Sequence, residues 1–138
     1  MRNFLQVPQK VHHGLLLISE LAERHSDGRP VSLEEIARKA GISQGFLEET
    51  AAALRKAGLI VGQRGAAGGY RLKKDPAEIT AAQVIEAIEG PLVVMECLGG
   101  GSTCPMKRSC STRNVWRKVQ NQVAKTLSEL TIAELIKI

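Results

Sequence analysis

Three thiols lie within one short stretch, CLGGGSTCPMKRSC, and Cys97, Cys104 and Cys110 are all the cysteines the chain has. Their spacing, Cys97-x6-Cys104-x5-Cys110, can present three soft, anionic donors to one centre. Thiolate sulfur suits iron, and an iron–sulfur cluster is usually held by four protein ligands, so the stretch reads as a cluster or metal site short of one donor. Gly99, Gly100 and Gly101 let such a loop wrap a bulky inorganic group without side-chain clash. Structural zinc more often uses close Cys-x2-Cys pairs completed by another Cys or His, and this loop has neither. A thiol switch is the second reading, because Lys107 and Arg108 would favour thiolate chemistry beside the cysteines. Three unrelated thiols is the third.

The elements around this loop decide among the readings. At 138 residues the chain predicts one compact unit, with apolar content of 43% and charged content of 24% typical of a globular protein. Aromatic residues are few (Phe4, Phe46, Tyr70, Trp116), so the core rests on Leu, Ile, Val and Ala, which favours helices. The opening Met1-Arg2-Asn3 leads into a segment broken by Pro8 and Lys10, which does not read as an export leader. Apolar runs such as Leu15 to Ile18 are too short to cross a bilayer. With an odd cysteine count, the expectation is a reduced, cytoplasmic protein without a membrane partner. Net charge is +5, and Arg55, Lys56, Arg64, Arg71, Lys73 and Lys74 form a stripe without an acid between them. Nucleic acid is the natural partner of such a stripe, the alternative being a solvated basic surface.

Val11, Leu15, Ile18 and Ala22 recur at helical spacing and predict a first helix from about Pro8 to His25. Ser32 with Glu35 is a capping-box pattern, the serine accepting from an orphan amide and the glutamate reaching back. It opens a short helix whose inward face is Leu33, Ile36, Ala37 and Ala40, ended by Gly41. Ser43 is the N-cap of the next, with Leu47, Thr50, Ala51 and Leu54 inward. This is the helix-turn-helix pattern. LIVGQRGAAGGYRLKK follows as strand, glycine turn and strand, the hairpin of a winged helix. Its glycines do not form a phosphate-binding loop, because no Gly-Lys-Ser/Thr ending leads into a helix. Thr80 with Gln83 caps a further helix carrying Val84, Ile85 and Ile88. After the cysteines, Trp116, Val119, Val123, Leu127 and Leu130 mark the seam of a helix of roughly 18 residues with few neighbours left in the chain to cover it. Thr131 and Glu134 predict one last short helix. The fold class is thus mainly α, a winged helix-turn-helix with a two-stranded wing and a long C-terminal dimerisation helix. Its parts are a DNA-binding region, 1–78, and a region of cysteine loop (97–110) and dimer helix, 79–138.

The sequence resembles the IscR-like (Rrf-two) family of winged-helix bacterial regulators over nearly its whole length. VSLEEIARKAGISQGFLEETAAALRKAGLI is similar to the family's helix-turn-helix and RGAAGGYRL to its wing. ITAAQVIEAIEG is similar to the following helix, and the cysteine loop with Trp116 to the sensor region and dimer helix. The resemblance implies a homodimer with crossing C-terminal helices, and an iron–sulfur cluster, 2Fe-2S or 4Fe-4S, near the partner's winged helix. It also implies control of genes for cluster assembly, nitrosative or oxidative stress, iron or sulfur metabolism, although some members lack the cysteines and sense other signals. Where part of the family has a histidine ligand three residues after the last cysteine, this chain has Arg113, which cannot bind iron. Setting LLLISELA against the family's first helix puts His12 where other members carry an acidic ligand, with His13 beside it as second choice.

Expected at the operator are Ser43, Gln44 and Glu48 as base readers from the second helix of the motif. Arg64 at the wing tip would enter a narrow minor groove, with Arg71 on the same hairpin and Arg55 at phosphates. The leading expectation is a dimeric, cluster-modulated transcription repressor and not an enzyme. The alternatives are a cluster-free thiol or ligand sensor of the same fold, and a redox enzyme, electron-transfer protein or cluster carrier. The basic stripe argues against the last group.

Overall fold

The computed structural model describes residues 4–101 and 103–137, so Met1 to Asn3, which do not read as an export leader, lie outside the described residues. The elements in chain order are α1 (Gln9–Glu23), α2 (Leu33–Ala40), α3 (Gln44–Lys56), β1 (Ile60–Gln63), β2 (Gly69–Leu72), α4 (Ala81–Glu89), α5 (Ser111–Glu129) and α6 (Ile132–Leu135). Strands β1 and β2 pair antiparallel with Ile60 opposite Leu72 and Gln63 opposite Gly69. This is the mainly helical, two-stranded winged architecture that the patterning predicts.

The helices form where apolar spacing and caps agree. Helix α1 buries Val11, Leu17, Ile18 and Leu21, and closes two residues earlier than expected, with a short turn of 3-10 helix over His25–Asp27. It packs closely on α4 at Gly14, where a Cβ would stand 2.9 Å from Ile88 Cγ1. The Ser32 hydroxyl accepts from the Glu35 N–H at 3.2 Å, but the reciprocal half of that capping box does not form. The Glu35 carboxylate instead pairs with Arg24 on the preceding turn. A charged partner outcompetes a single backbone amide for a carboxylate. Lys39 likewise reaches Glu20, so two ion pairs tie α2 to the C-terminal half of α1. Ala40, expected inward, is exposed: it is the last residue of the eight-residue helix, next to the Gly41 C-cap. Ser43 holds the N-cap position of α3 but makes no side-chain cap bond. Thr80 and Gln83 form both halves of their capping box, at 3.2 and 2.9 Å.

One hydrophobic core gathers Leu17, Ile18 and Leu21 of α1, Ile36 of α2, Leu47 and Leu54 of α3, Ile60 and Leu72 of the strands, and Val84 of α4. Truncating one such side chain to Ala costs about 2–5 kcal/mol. Ile79 and Ile132 belong to the same core, so packing is continuous through the point between residues 78 and 79. Two backbone bonds secure the returning chain: Ile132 N–H to the Ile79 carbonyl and Ala81 N–H to the Leu130 carbonyl, both 2.8 Å.

Helix α5 differs from the others. Over 19 residues, about 28 Å at 1.5 Å per residue, it has no fully buried residue. Trp116, Val119, Val123 and Leu127 are each only half-buried, and Val115 is 54% exposed. The fold thereby sets the winged helix-turn-helix beside a long helix whose apolar seam is only partly covered.

Candidate functional site

Two surfaces carry the chemistry. The first is the outer face of α3 with the hairpin that follows it. Leu47, Thr50, Ala51 and Leu54 turn inward, which leaves Ser43, Gln44 and Glu48 exposed on the first turns. Gln44 Nε2 lies 3.5 Å from Glu48 Oε1, so the two are neighbours on one face, one carrying donors and the other acceptors. Thr50 is buried, and its hydroxyl donates to the Phe46 carbonyl at 2.9 Å.

Strand β1 starts four positions after α3 ends, and the wing tip spans residues 64–68. Arg64 is exposed there and Arg71 is exposed on β2, opposite Val61. Arg55 is exposed on the last turn of α3. The predicted DNA residues therefore all reach solvent from α3 and the adjoining hairpin. Val31 forms an antiparallel bridge to Tyr70, which anchors the root of the hairpin to the segment entering α2.

The second surface is the loop between α4 and α5. Cys97 sits in a short turn of 3-10 helix over Glu96–Leu98. Gly100 and Gly101 follow with φ of +80° and +68°, a succession that L side chains resist. The Cys104 carbonyl accepts from the Lys107 N–H at 3.2 Å, starting a turn that leads to Cys110. Cys110 is the N-cap residue of α5, at the positive end of that helix dipole. Its Sγ lies 3.0 Å from Thr112 Oγ1. The Thr112 hydrogen bond, then the Arg113 backbone amide, hold this thiol below its ordinary range. The loop is also fastened to α5 by the Val94 N–H, which donates to Gln120 Oε1 at 3.0 Å.

All three cysteines line one cavity of about 290 Å³, with Met95, Glu96, Lys107, Thr112 and Arg113. Cys97 and Cys110 are free thiols. Among the described residues, no three His, Cys, Asp or Glu side chains converge as ligands to one ion do. A group held by all three thiols must span the cavity between them. Arg113 enters the same space from the first turn of α5. Its Nη2 donates to the Cys97 carbonyl at 3.3 Å, while its Nε is buried without a hydrogen-bond partner.

His12 and His13 do not line the cysteine cavity within one subunit. His12 is exposed on the first turns of α1, with the His13 ring 5.9 Å away. His13 faces Phe46 of α3 at 6.2 Å between ring centroids, and both line a separate cavity of about 320 Å³ between α1 and α3. Reading the sequence located the thiols but missed two residues. Arg113 entered only as a non-ligand, although its position one helical turn after Cys110 aims it back toward that cysteine. Phe46 lies off the inward stripe of α3, and its ring meets His13 of α1 outside the core.

A model of the family described as Rrf2, iron-dependent transcriptional regulator, matches residues 7–138. The chain is 37% identical over 113 residues to the HTH-type transcriptional regulator IscR of Vibrio campbellii, covering 82% of this chain and 67% of that one. It is 35% identical over 131 residues to the HTH-type transcriptional regulator CymR of Bacillus subtilis, covering 95% and 89%. Among solved structures, IscR of T. potens superposes with a TM-score of 0.80 at 34% identity over 97% of this chain and 88% of that one. CymR, described as the global cysteine regulator of B. subtilis, superposes with a TM-score of 0.77 at 34% identity over 97% and 98%. These relatives are named as regulators of transcription and not as enzymes. No helix among the described residues is long and apolar enough to cross a membrane. With coverage and identity of this extent, the chain belongs to the Rrf2 family of winged-helix, DNA-binding transcription regulators.

Proposed function

We propose that this protein is a cytoplasmic, homodimeric repressor whose operator binding is modulated by an iron–sulfur cluster, 2Fe-2S or 4Fe-4S. Cys97, Cys104 and Cys110 supply three ligands and His12 of the partner subunit the fourth, with His13 as second choice. The observation that carries this reading is the shared cavity: three cysteines line one space together with Arg113, whose buried Nε–H lacks an acceptor. That donor set fits a polyatomic, sulfur-rich anion. The family's description as iron-dependent and the similarity to IscR proteins support it. Bound there, a cluster supplies a centre sensitive to redox state and to iron supply.

The chain's own residues would do the rest. Cys97 lies within the segment between α4 and α5 and Cys110 is the N-cap of α5, so a change in what they hold alters the constraint on the start of α5. The half-covered seam of α5 supports a dimer, because a second copy of the same seam can complete it. Two reading heads would then face two half-sites of an operator. Gln44 and Glu48 read base edges beside Ser43, Arg64 and Arg71 bring the wing to the groove, and Arg55 meets phosphate. In this division residues 1–78 read DNA and residues 79–138 sense and dimerise.

The similarity to CymR favours a second reading, in which the same fold senses a thiol or small ligand without iron. A thiolate-favouring site at Cys110 suits it. An electron-transfer or cluster-carrier role is the third, and the exposed basic face speaks against it. Anaerobic purification with iron and acid-labile sulfide counted per chain separates them. Both elements, visible charge-transfer absorption and promoter binding support the first reading. Colourless protein that binds DNA in a thiol-dependent manner would establish the second. An intact cluster without binding to any promoter would leave the third.

A further inference from the structure

We propose that Arg113 is a positioning residue of the cysteine cavity. Its buried Nε–H donates to a sulfur of the group that Cys97, Cys104 and Cys110 hold, and this raises the group's reduction potential. The inference rests on the cluster reading above and goes beyond it by assigning a role to a side chain that cannot be a ligand.

Arg113 is the third residue of α5, and Cys110 is the N-cap of the same helix. The guanidinium is planar and permanently charged, with its N–H donors fixed in one fork. The bond from Nη2 to the Cys97 carbonyl at 3.3 Å fixes that plane. Nε, in the same plane, is buried and has no acceptor. Glu96 lines the same cavity without accepting from it. Buried donors of a charged group are very rarely left unmade in a native fold, so an orphan here points to an acceptor the polypeptide does not supply. The other side chains around the space are the three thiols, Met95, Lys107 and Thr112. An anionic, sulfur-rich occupant meets the requirement.

Reduction takes up one electron from an external donor and breaks no bond. The reduced state carries one more negative charge in either nuclearity, so a cation and an N–H donor stabilise it over the oxidised state. Replacing Arg113 removes both contributions, while Arg113→Lys keeps the charge but loses the planar fork.

The test is the midpoint potential of the full-length protein, reconstituted anaerobically, by spectroelectrochemical titration of wild type, Arg113→Gln and Arg113→Lys. Iron and sulfide are counted in each sample. The expected result is a full cluster in the variants and a lower potential, with the reduction equilibrium of Arg113→Gln shifted about tenfold, about 59 mV for a one-electron couple, and Arg113→Lys falling between. Should the glutamine variant not fold or load, the lysine variant carries the comparison. A loaded variant with the wild-type potential overturns the proposal and leaves the cluster reading intact. Loss of the cluster from both folded variants also overturns it, since Arg113 would then hold the group rather than tune it. Wild-type protein without iron and sulfide overturns both.

Discussion

Val31 and Tyr70 exchange both of their backbone hydrogen bonds, Val31 N–H to the Tyr70 carbonyl at 2.8 Å and Tyr70 N–H to the Val31 carbonyl at 2.9 Å. The wing is therefore not a free hairpin. Its second strand is fastened to the residue before the Ser32 cap of α2, which ties the wing to the helix-turn-helix.

The fastening depends on Gly69, where a Cβ would stand 2.3 Å from the Val31 carbonyl oxygen. Gly69→Ala must push the hairpin off this segment. It should lower unfolding free energy by about 1–3 kcal/mol, the usual range for overpacking, and weaken operator binding as well. A urea melt and a binding titration on one preparation check both effects. Wild-type stability would show that the bridge does not hold the wing.

At the wing tip, Arg64 is exposed and free of the core. Arg64→Ala should weaken operator binding and reduce the slope of log K against log salt by about 1, as for loss of one cationic contact. Gln44→Ala should instead change which operator bases are preferred, since it lies on the first turn of the reading helix. Fluorescence anisotropy across a salt series and a panel of single-base operator variants distinguishes the two. Unchanged affinity at moderate salt would remove Arg64 from the interface.

Much of this was legible in the sequence, for local reasons. Helical spacing in α1 and α3, the Thr80–Gln83 box and the glycine turn of the wing are fixed by residues within a turn of each other. Less legible were choices made between distant residues. Glu35 leaves its own helix cap for Arg24, eleven positions away, and Lys39 finds Glu20 across nineteen. Ser43 has the residue type of a cap without making the bond, because residue preference does not fix a hydroxyl's rotamer. The three cysteines were plain from their spacing, whereas the entry of Arg113 among them depends on how the loop returns to α5.

The Arg24–Glu35 pair also gives a pH dependence. Hydrogen bonding to Arg24, with its charge, holds the Glu35 carboxyl below its ordinary value. A carboxyl depressed in the folded state contributes stability above its unfolded pKa, and that contribution is lost as pH falls through the folded one. The pair is solvent-exposed, so the effect is small. Between pH 6 and about pH 3, melting temperature should fall less steeply for Glu35→Gln than for wild type. Parallel acid limbs would contradict the pairing.

The seam of α5 predicts oligomeric state. Val119 and Val123 are half-buried and lie outside the core. Joint replacement by Asp should leave helix content unchanged and convert the proposed dimer to monomer in sedimentation equilibrium. Operator affinity should fall by about tenfold or more, since the second half-site is no longer tethered. A double variant that remains dimeric would move the subunit contact away from this helix.

In the proposed function, occupancy of the cysteine cavity sets DNA binding. Operator affinity of one anaerobically reconstituted sample, measured with a cluster bound and again after chelation has removed it, tests this coupling. The expected dissociation constants differ by about tenfold or more, about 1.4 kcal/mol of coupling, with the difference abolished in Cys97→Ser. Equal affinities in the loaded and stripped states would contradict it.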